Sequence, residues 1–385
     1  MKKTDILLVG IGGYGSLYVN ELLKPENRET LNLVGTVDPY PASCRRLDEI
    51  VAMSGQPYRT IEEFYSEHTA DLAVISTPIQ FHREGILAAL SHGSDVLCEK
   101  PLSGDVRDIE ALLDAEASSG CHVHIGYQWS HSEAILSLKR DIMAGLYGKP
   151  DILKTLILWP RDKKYFTRGT GWAGKIRASD GTLIYDSAAN NAAAHYLHNM
   201  LYVTGSEINA SSHAENISAK LYRVNSIENF DTAIIKFGLS CGGRCVFIAS
   251  HTIDRAQNPL FDYKFTEGRV TYTEDALTDK ISGKDDYTVG HIMGTDKFGG
   301  LHDYGDPFYK VERKLYNAVD TRNGKAGANV VCGIKAASEH TRLINEIGEN
   351  FPIGSFPADK IRERGELLYV DGLSDELTKE YNKIK

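Results

Sequence analysis

Glycines at fixed spacing and one aspartate define the first chemistry in this chain. Gly10-Ile11-Gly12-Gly13-Tyr14-Gly15 lies between an apolar run, Ile6 to Val9, and a stretch of helical pattern; a second apolar run then ends on Asp38. Glycines in a strand-to-helix turn let the backbone approach a pyrophosphate, whose charge suits the unpaired N–H groups of a helix N-terminus. In that reading Gly10 permits the tight turn, Gly12 the close approach and Gly15 the packing of helix on strand, with Gly13 and Tyr14 completing the turn. Asp38 would accept hydrogen bonds from an adenosine ribose and repel a 2′-phosphate, favouring NAD over NADP. Arg45 and Arg46 follow and soften that preference, so NADP stays open. A structural turn with no ligand is the competing reading.

A lysine supplies the second chemistry. Asp95 to Cys98 reads as a strand and runs into Glu99-Lys100-Pro101. A lysine at a strand end, beside a cofactor and partly desolvated, can lose its proton near neutral pH and act as acid or base. A surface lysine paired with Glu99 is the alternative. Ser76 to His82, containing Thr77-Pro78, also follows a strand-like run. Ligands of open α/β sheets bind beyond the carboxyl ends of the strands, where all these segments fall.

The elements that must position them alternate. Strand-like runs at 6–9, 31–37, 71–76, 95–98 and 122–126 are separated by helical patterns at 41–53, 82–92 and 105–118. That alternation implies a parallel sheet with helices on both faces, an α/β Rossmann-fold domain over residues 1–126. From residue 127 to 385 the pattern changes. Helices are expected at 132–145, 192–204, 328–347 and 374–384, and four or five strands between about 212 and 273. Runs of strands imply an α+β domain with a largely antiparallel, open-faced sheet. Residues 276–325 are polar, glycine-rich and poorly periodic, and read as a long excursion at a site or interface.

Composition narrows the class. A chain of 385 residues exceeds what one core usually supports, and 42% apolar with 25% charged residues is ordinary for a globular enzyme. The net charge of -9 argues against a nucleic-acid surface. Six scattered cysteines show no disulfide framework, which fits a reducing cytoplasm. Cys241 and Cys245 flank Gly242-Gly243-Arg244, a pattern that a hairpin tip explains without metal. Lys2 and Lys3 ahead of Ile6 to Ile11 imitate a secretory signal faintly, but Asp5 interrupts the run and no cleavage site follows. No apolar run approaches the ~18 residues of a membrane span.

The combination resembles the Gfo/Idh/MocA oxidoreductases, the family of glucose-fructose oxidoreductase and inositol dehydrogenase. The resemblance rests on the glycine turn, on Thr77-Pro78 to His82 and above all on Cys98-Glu99-Lys100-Pro101. It implies NAD(P) binding, a Lys100 contacting nicotinamide and substrate, and a cis Lys100–Pro101 bond. The family usually carries Asp-x-Gly-x-His-x-x-Asp at a second-domain helix. Here Asn191-Ala192-Ala193-Ala194-His195-Tyr196-Leu197-His198 stands in its place, with His195 ten residues before Gly205. Asn191 thus replaces the aspartate and His198 the second acid; an alternative register uses Asp186 and puts Asn190 in the histidine's place. Asn191 can orient a hydroxyl but cannot hold a proton, whereas His195 can take one near neutral pH. Spacing also permits His195 and His198 to share a metal, but no acidic third ligand accompanies them, and no metal is expected. Tyr127-Gln128-Trp129 falls where the family often lines its nicotinamide pocket, and Tyr185 and Asn190 join Asn191, His195 and His198 as candidate substrate contacts. His122 and His124 read as packing.

The expected activity is an NAD(P)-dependent oxidoreductase acting on a secondary alcohol of a sugar, polyol or sugar acid, with Lys100, His195 and Asn191 catalytic. An NAD-dependent glycosidase of the same superfamily and a non-catalytic cofactor-binding sensor are the rival readings. The loop from Trp159 to Lys175 mixes cations and aromatics, which suit carboxylates, phosphates and sugar rings; a merely solvated loop fits as well. A carbohydrate-like substrate, no nucleic acid, no membrane and a homodimer or homotetramer complete the expectation.

Overall fold

The opening apolar run is buried along its length, as a strand covered on both faces must be: Ile6, Leu7 and Leu8 are fully buried and Val9 nearly so. In this computed structural model, which describes residues 3–168, 171–274, 290–309 and 311–384, the chain divides into two compact units. The first is Met1–His131 with Tyr309–Ser338, and the second is Ser132–Phe308 with Glu339–Lys385.

The first unit holds a parallel sheet of β1 (Thr4–Val9), β2 (Leu31–Val37), β3 (Leu72–Ile75), β4 (Asp95–Cys98) and β5 (Val123–Ile125) in the order β2-β1-β3-β4-β5. Its register does the positioning. Val9 lies opposite Val37 and Ile75, and Ile75 opposite Cys98. The residues that leave these strands, Gly10, Asp38, Ser76 and Glu99, therefore emerge along one edge. Helices Gly15–Leu22, Leu47–Ser54, Ile61–Glu67, His82–Ser91 and Asp108–Ser119 connect the strands. The helix Ile61–Glu67 starts on a reciprocal Thr60–Glu63 cap that satisfies two otherwise unpaired N–H groups.

The expected excursion includes regular secondary structure. Its residues 276–289 and 310 lie outside the described residues, as do Lys2 and residues 169–170 of the charged loop. The remainder contains two strands and the helix Glu312–Arg322. Leu315, Ala318 and Val319 of that helix, one apolar stripe at helical spacing, pack into the first unit's core with Leu8, Leu33, Leu72 and Leu97. The expected helix at 328–347 begins later, at Ile334, and runs to Asn350.

The second unit carries a nine-stranded sheet of β6 (Pro150–Leu158), β7 (Ala214–Arg223), β8 (Thr232–Leu239), β9 (Arg244–Ser250), β10 (Gln257–Phe265), β11 (Arg269–Glu274), β12 (Gly290–Thr295), β13 (Leu301–Gly305) and β14 (Ile353–Ser355). Their order is β13-β12-β11-β10-β6-β9-β8-β7-β14, antiparallel except at β6–β9 and β7–β14. A hairpin of β15 (Ile361–Arg364) and β16 (Leu367–Val370) follows. Gly242 and Gly243 form the β8–β9 turn with φ of 95° and 84°, conformations that favour glycine.

Helices pack on the sheet around its central strand, β6. Leu156 and Leu158 of β6 pack under Leu373, Leu377 and Tyr381 of the helix Leu373–Lys383. On the opposite face, Asn199 of the helix Ala194–Tyr202 donates to the Tyr263 hydroxyl (3.3 Å), beside Leu153 of β6. Among the described residues no helix is long and apolar enough to cross a membrane.

Candidate active site in two halves

In the first unit, Asp38 fastens the glycine turn. Its carboxylate accepts from the Ile11 N–H (3.0 Å) and the Tyr40 N–H (2.8 Å), while the Gly10 N–H donates to the Val37 carbonyl (2.8 Å). Gly10 has φ of 86°, and a Cβ there would lie 2.8 Å from the Ser76 carbonyl oxygen. A Cβ on Gly15 would collide with the Gly10 carbonyl, so helix and strand can approach only through glycine. The N–H groups of Gly12 and Gly13 bond to nothing among the described residues, and Tyr14 is exposed beside them. Such a turn can hold an anion on backbone donors, and each Asp38 oxygen keeps a lone pair for a further hydroxyl.

The next two strand ends are tied by one histidine. The His82 ring lies between the Thr77 carbonyl (3.0 Å) and the Pro101 carbonyl (2.8 Å), and as a neutral ring it donates to one of them. Burial pulls its pKa down, and the two carbonyls act the other way. His82 therefore holds Thr77-Pro78 against Lys100-Pro101. The Lys100–Pro101 peptide is cis.

Glu99 pairs with Lys314, a residue absent from the sequence expectation. Its carboxylate accepts from the Tyr18 hydroxyl (2.7 Å) and from the Lys314 ammonium. Lys314 lies on the returning helix with its ammonium 4.9 Å from the Tyr14 ring centroid. A Cβ on Gly126 would approach the Glu99 carboxylate at 3.1 Å, so the glycine leaves the carboxylate its room. Only the stripe of Leu315, Ala318 and Val319 signalled that this helix has a buried face. Tyr127, Gln128 and Trp129 follow β5 and are all buried. Burial drives the Tyr127 hydroxyl far above its ordinary pKa.

In the second unit the carboxylate missing at position 191 stands next door. Asp186, nearly fully buried, accepts from the Asn191 amide (2.8 Å) and from the Gly174 N–H (2.5 Å). The two residues lie five positions apart, and the turn leads into the helix Ala194–Tyr202, whose first turn carries His195. His198 points elsewhere. It is fully buried, stacks on Tyr202 (5.5 Å) and meets His340 edge-on (6.4 Å).

Asn190 is also occupied inside the unit. Its amide donates to the Ile184 (3.1 Å) and Tyr185 (3.3 Å) carbonyls, and its oxygen bonds His340 (3.1 Å). Tyr185 adopts φ of 42° and presses against Gly348, where a Cβ would not fit. The structure thus groups Asn191 with Asp186 one turn ahead of His195, and places Asn190 and His198 around His340 in the core.

Residues 4–127 match the family described as oxidoreductase family, NAD-binding Rossmann fold. Curated relatives align over part of the chain. Inositol 2-dehydrogenase 4 of Saccharopolyspora erythraea is 30% identical over 151 residues, 39% of this chain and 44% of that protein. An inositol 2-dehydrogenase/D-chiro-inositol 3-dehydrogenase of Lactiplantibacillus plantarum is 24% identical over 148 residues, 38% and 42%. The chain spans less than half the length of these two relatives. Solved structures extend the likeness further. The WlbA dehydrogenase of Bordetella pertussis, in complex with NADH and UDP-GlcNAcA, superposes with a TM-score of 0.68 at 17% identity, covering 90% of this chain and 96% of that one. An aldose-aldose oxidoreductase of Caulobacter crescentus gives 0.67 at 18%, covering 90% and 97%. At such identities the likeness establishes the fold.

Proposed function

With residues 4–127 forming the NAD-binding Rossmann domain of the Gfo/Idh/MocA oxidoreductase family, we propose that the chain is an NAD-dependent dehydrogenase of a sugar-like secondary alcohol. NAD, when bound, supplies the hydride acceptor. Gly10, Gly12, Gly13, Tyr14 and Gly15 hold the pyrophosphate and Asp38 the ribose, with Thr77, Pro78, His82 and Glu99 shaping the same strand-end edge. A carboxylate at the ribose favours NAD; NADP is the weaker candidate. In the oxidation direction a carbinol loses a hydride and its hydroxyl proton, leaving a carbonyl. Lys100 and His195 are the two candidate acceptors for that single proton, and Asn191 would orient the hydroxyl. Tyr127, Gln128, Trp129 and Tyr185 are the further candidate substrate contacts, and Asn190 and His198 lie buried in the second unit.

The observation that carries this reading is Asp186. Asp186 accepts from Asn191 at 2.8 Å, which keeps a carboxyl group beside the position where the family pattern carries its aspartate. Purified protein mixed with NAD and a panel of polyols, aldoses and sugar acids tests it. NADH formation with at least one substrate is expected, falling by about 100-fold or more in Lys100→Ala and His195→Ala. Turnover undiminished in both variants, or sugar hydrolysis without NADH, would refute it. We further propose a cytoplasmic homodimer or homotetramer, for which light scattering of the purified chain is the test.

A further inference from the structure

The loop after β6 gathers two arginines around one aromatic ring, Tyr165. Arg168 lies 3.6 Å from the Tyr165 ring centroid and Arg161 5.0 Å from the same ring. Arg161 also approaches Trp159 (5.7 Å) and Arg168 approaches Trp172 (5.1 Å). Neither guanidinium is paired with a carboxylate among the described residues. The Arg161 Nε is buried and unbonded there, and Arg168 donates to the Tyr165 carbonyl. Two like charges over one ring repel each other, and an anion between them would remove that cost. Asp186 is near enough to act on Tyr165, yet it is engaged by Asn191 and the Gly174 N–H.

An independent feature at the same place also asks for a ligand. His251 follows β9 and is 2% exposed. Its ring lies 5.7 Å from that of Tyr165. The Nδ1 contacts the Trp159 carbonyl (2.8 Å), which can only accept, so Nδ1 carries the proton. Nε2 is then a bare lone pair, buried and without a partner among the described residues. Burial and the two arginines hold the ring neutral, with a pKa pulled down to about 3. A neutral acceptor beside two cationic donors and aromatic faces matches a hydroxylated molecule bearing an acidic group. The cluster touches the helix that carries His195, because Trp159 meets Tyr196 of that helix edge-on at 5.7 Å.

We propose that Arg161, Arg168, Tyr165 and His251 form an anion-reading subsite, making the substrate a sugar acid or sugar phosphate. The arginines take the carboxylate or phosphate, and the His251 Nε2 accepts a neighbouring hydroxyl. The substrate role rests on the dehydrogenase reading above; the binding site does not.

Isothermal titration of the full chain saturated with NADH tests it. The probes are D-gluconate, D-glucuronate and D-glucose 6-phosphate against D-glucose and myo-inositol. At least one anion should bind about tenfold more tightly than the neutral sugars, and Arg161→Gln and Arg168→Gln should each weaken it about tenfold while NADH fluorescence is unchanged. The carboxylate and phosphate arms identify the anion. Equal binding of neutral sugars, no binding of any anion, or undiminished anion affinity in the glutamine variants overturns the proposal. Where those variants lose NADH binding, Arg161→Lys and Arg168→Lys decide, since they keep the charge but lose the planar fork; full anion affinity in them overturns it. An anion bound through the arginines yet never oxidised refutes the dehydrogenase reading and leaves the subsite standing. NADH formed from neutral polyols alone does the reverse.

Discussion

Glu99 and Lys314, 215 residues apart, form an ion pair inside the first unit, their side chains 8% and 1% exposed. Burial pulls the lysine's pKa down and Glu99 pushes it back up. Removing one partner of such a pair strands the other charge. Lys314→Met is expected to lower stability by about 3–5 kcal/mol, and adding Glu99→Gln should recover part of the loss. Urea unfolding of the three variants measures this. A wild-type midpoint in Lys314→Met would show that the pair does not hold the strand end.

Much of the first unit was legible because its signals are local. A glycine that must adopt positive φ, as Gly10 does, and an aspartate closing the next strand leave marks within thirty or so residues, the span of a βαβ unit. Lys314 left none of that kind. Its partner lies in another part of the chain, and the helix that carries it looks polar on every face except the stripe at Leu315, Ala318 and Val319. Asp186 is an intermediate case. Reading the family pattern forces a choice between Asp186 and Asn191, whereas the turn places both side chains in one hydrogen bond. Sequence spacing counts residues along a helix and cannot see a loop that folds back on it.

The Asp186–Asn191 bond makes two opposite predictions. Asp186→Asn keeps the shape and removes the charge, so kcat should fall by about 100-fold or more with NADH affinity unchanged. Asn191→Asp instead places a second carboxylate at the former 2.8 Å contact. Two carboxylates that close cannot both ionise, so the pair retains a proton and the acid limb of the pH–rate profile should move to higher pH. A profile superimposable on that of the wild type would separate Asp186 from the chemistry.

Cofactor binding should depend on Gly10 and Asp38 for different reasons. Gly10→Ala combines strain at φ of 86° with a Cβ 2.8 Å from the Ser76 carbonyl oxygen, and should abolish NADH binding. Asp38→Ala removes the acceptor for two backbone N–H groups and the repulsion of a 2′-phosphate. NADH affinity should drop about tenfold and the NADH-to-NADPH preference should shrink. Fluorescence titration with each cofactor measures both. An unchanged preference in Asp38→Ala would remove the aspartate from the ribose site.

Acid should weaken this protein earlier than its carboxylates alone require, because several histidines are buried in the neutral state. His82, His124 and His251 have pKa values pulled down, with burial the leading cause in each. For His131 burial lowers the pKa from 6.5 to about 4. Below the unfolded value the denatured chain takes up a proton that the folded ring refuses. Stability is therefore full above the unfolded pKa and is lost as the pH falls towards the folded one. Each such ring steepens the fall by about 1.4 kcal/mol per pH unit, and His131 alone accounts for about 3 kcal/mol across its window. His124 is the cleanest probe, since neither ring nitrogen has a partner among the described residues. His124→Phe should leave the melting temperature near its wild-type value at pH 8 but raise it at pH 5, where the wild-type chain has begun to take up protons on unfolding. Parallel melting curves for the two proteins across that range would show that His124 does not enter the folded state as a neutral ring.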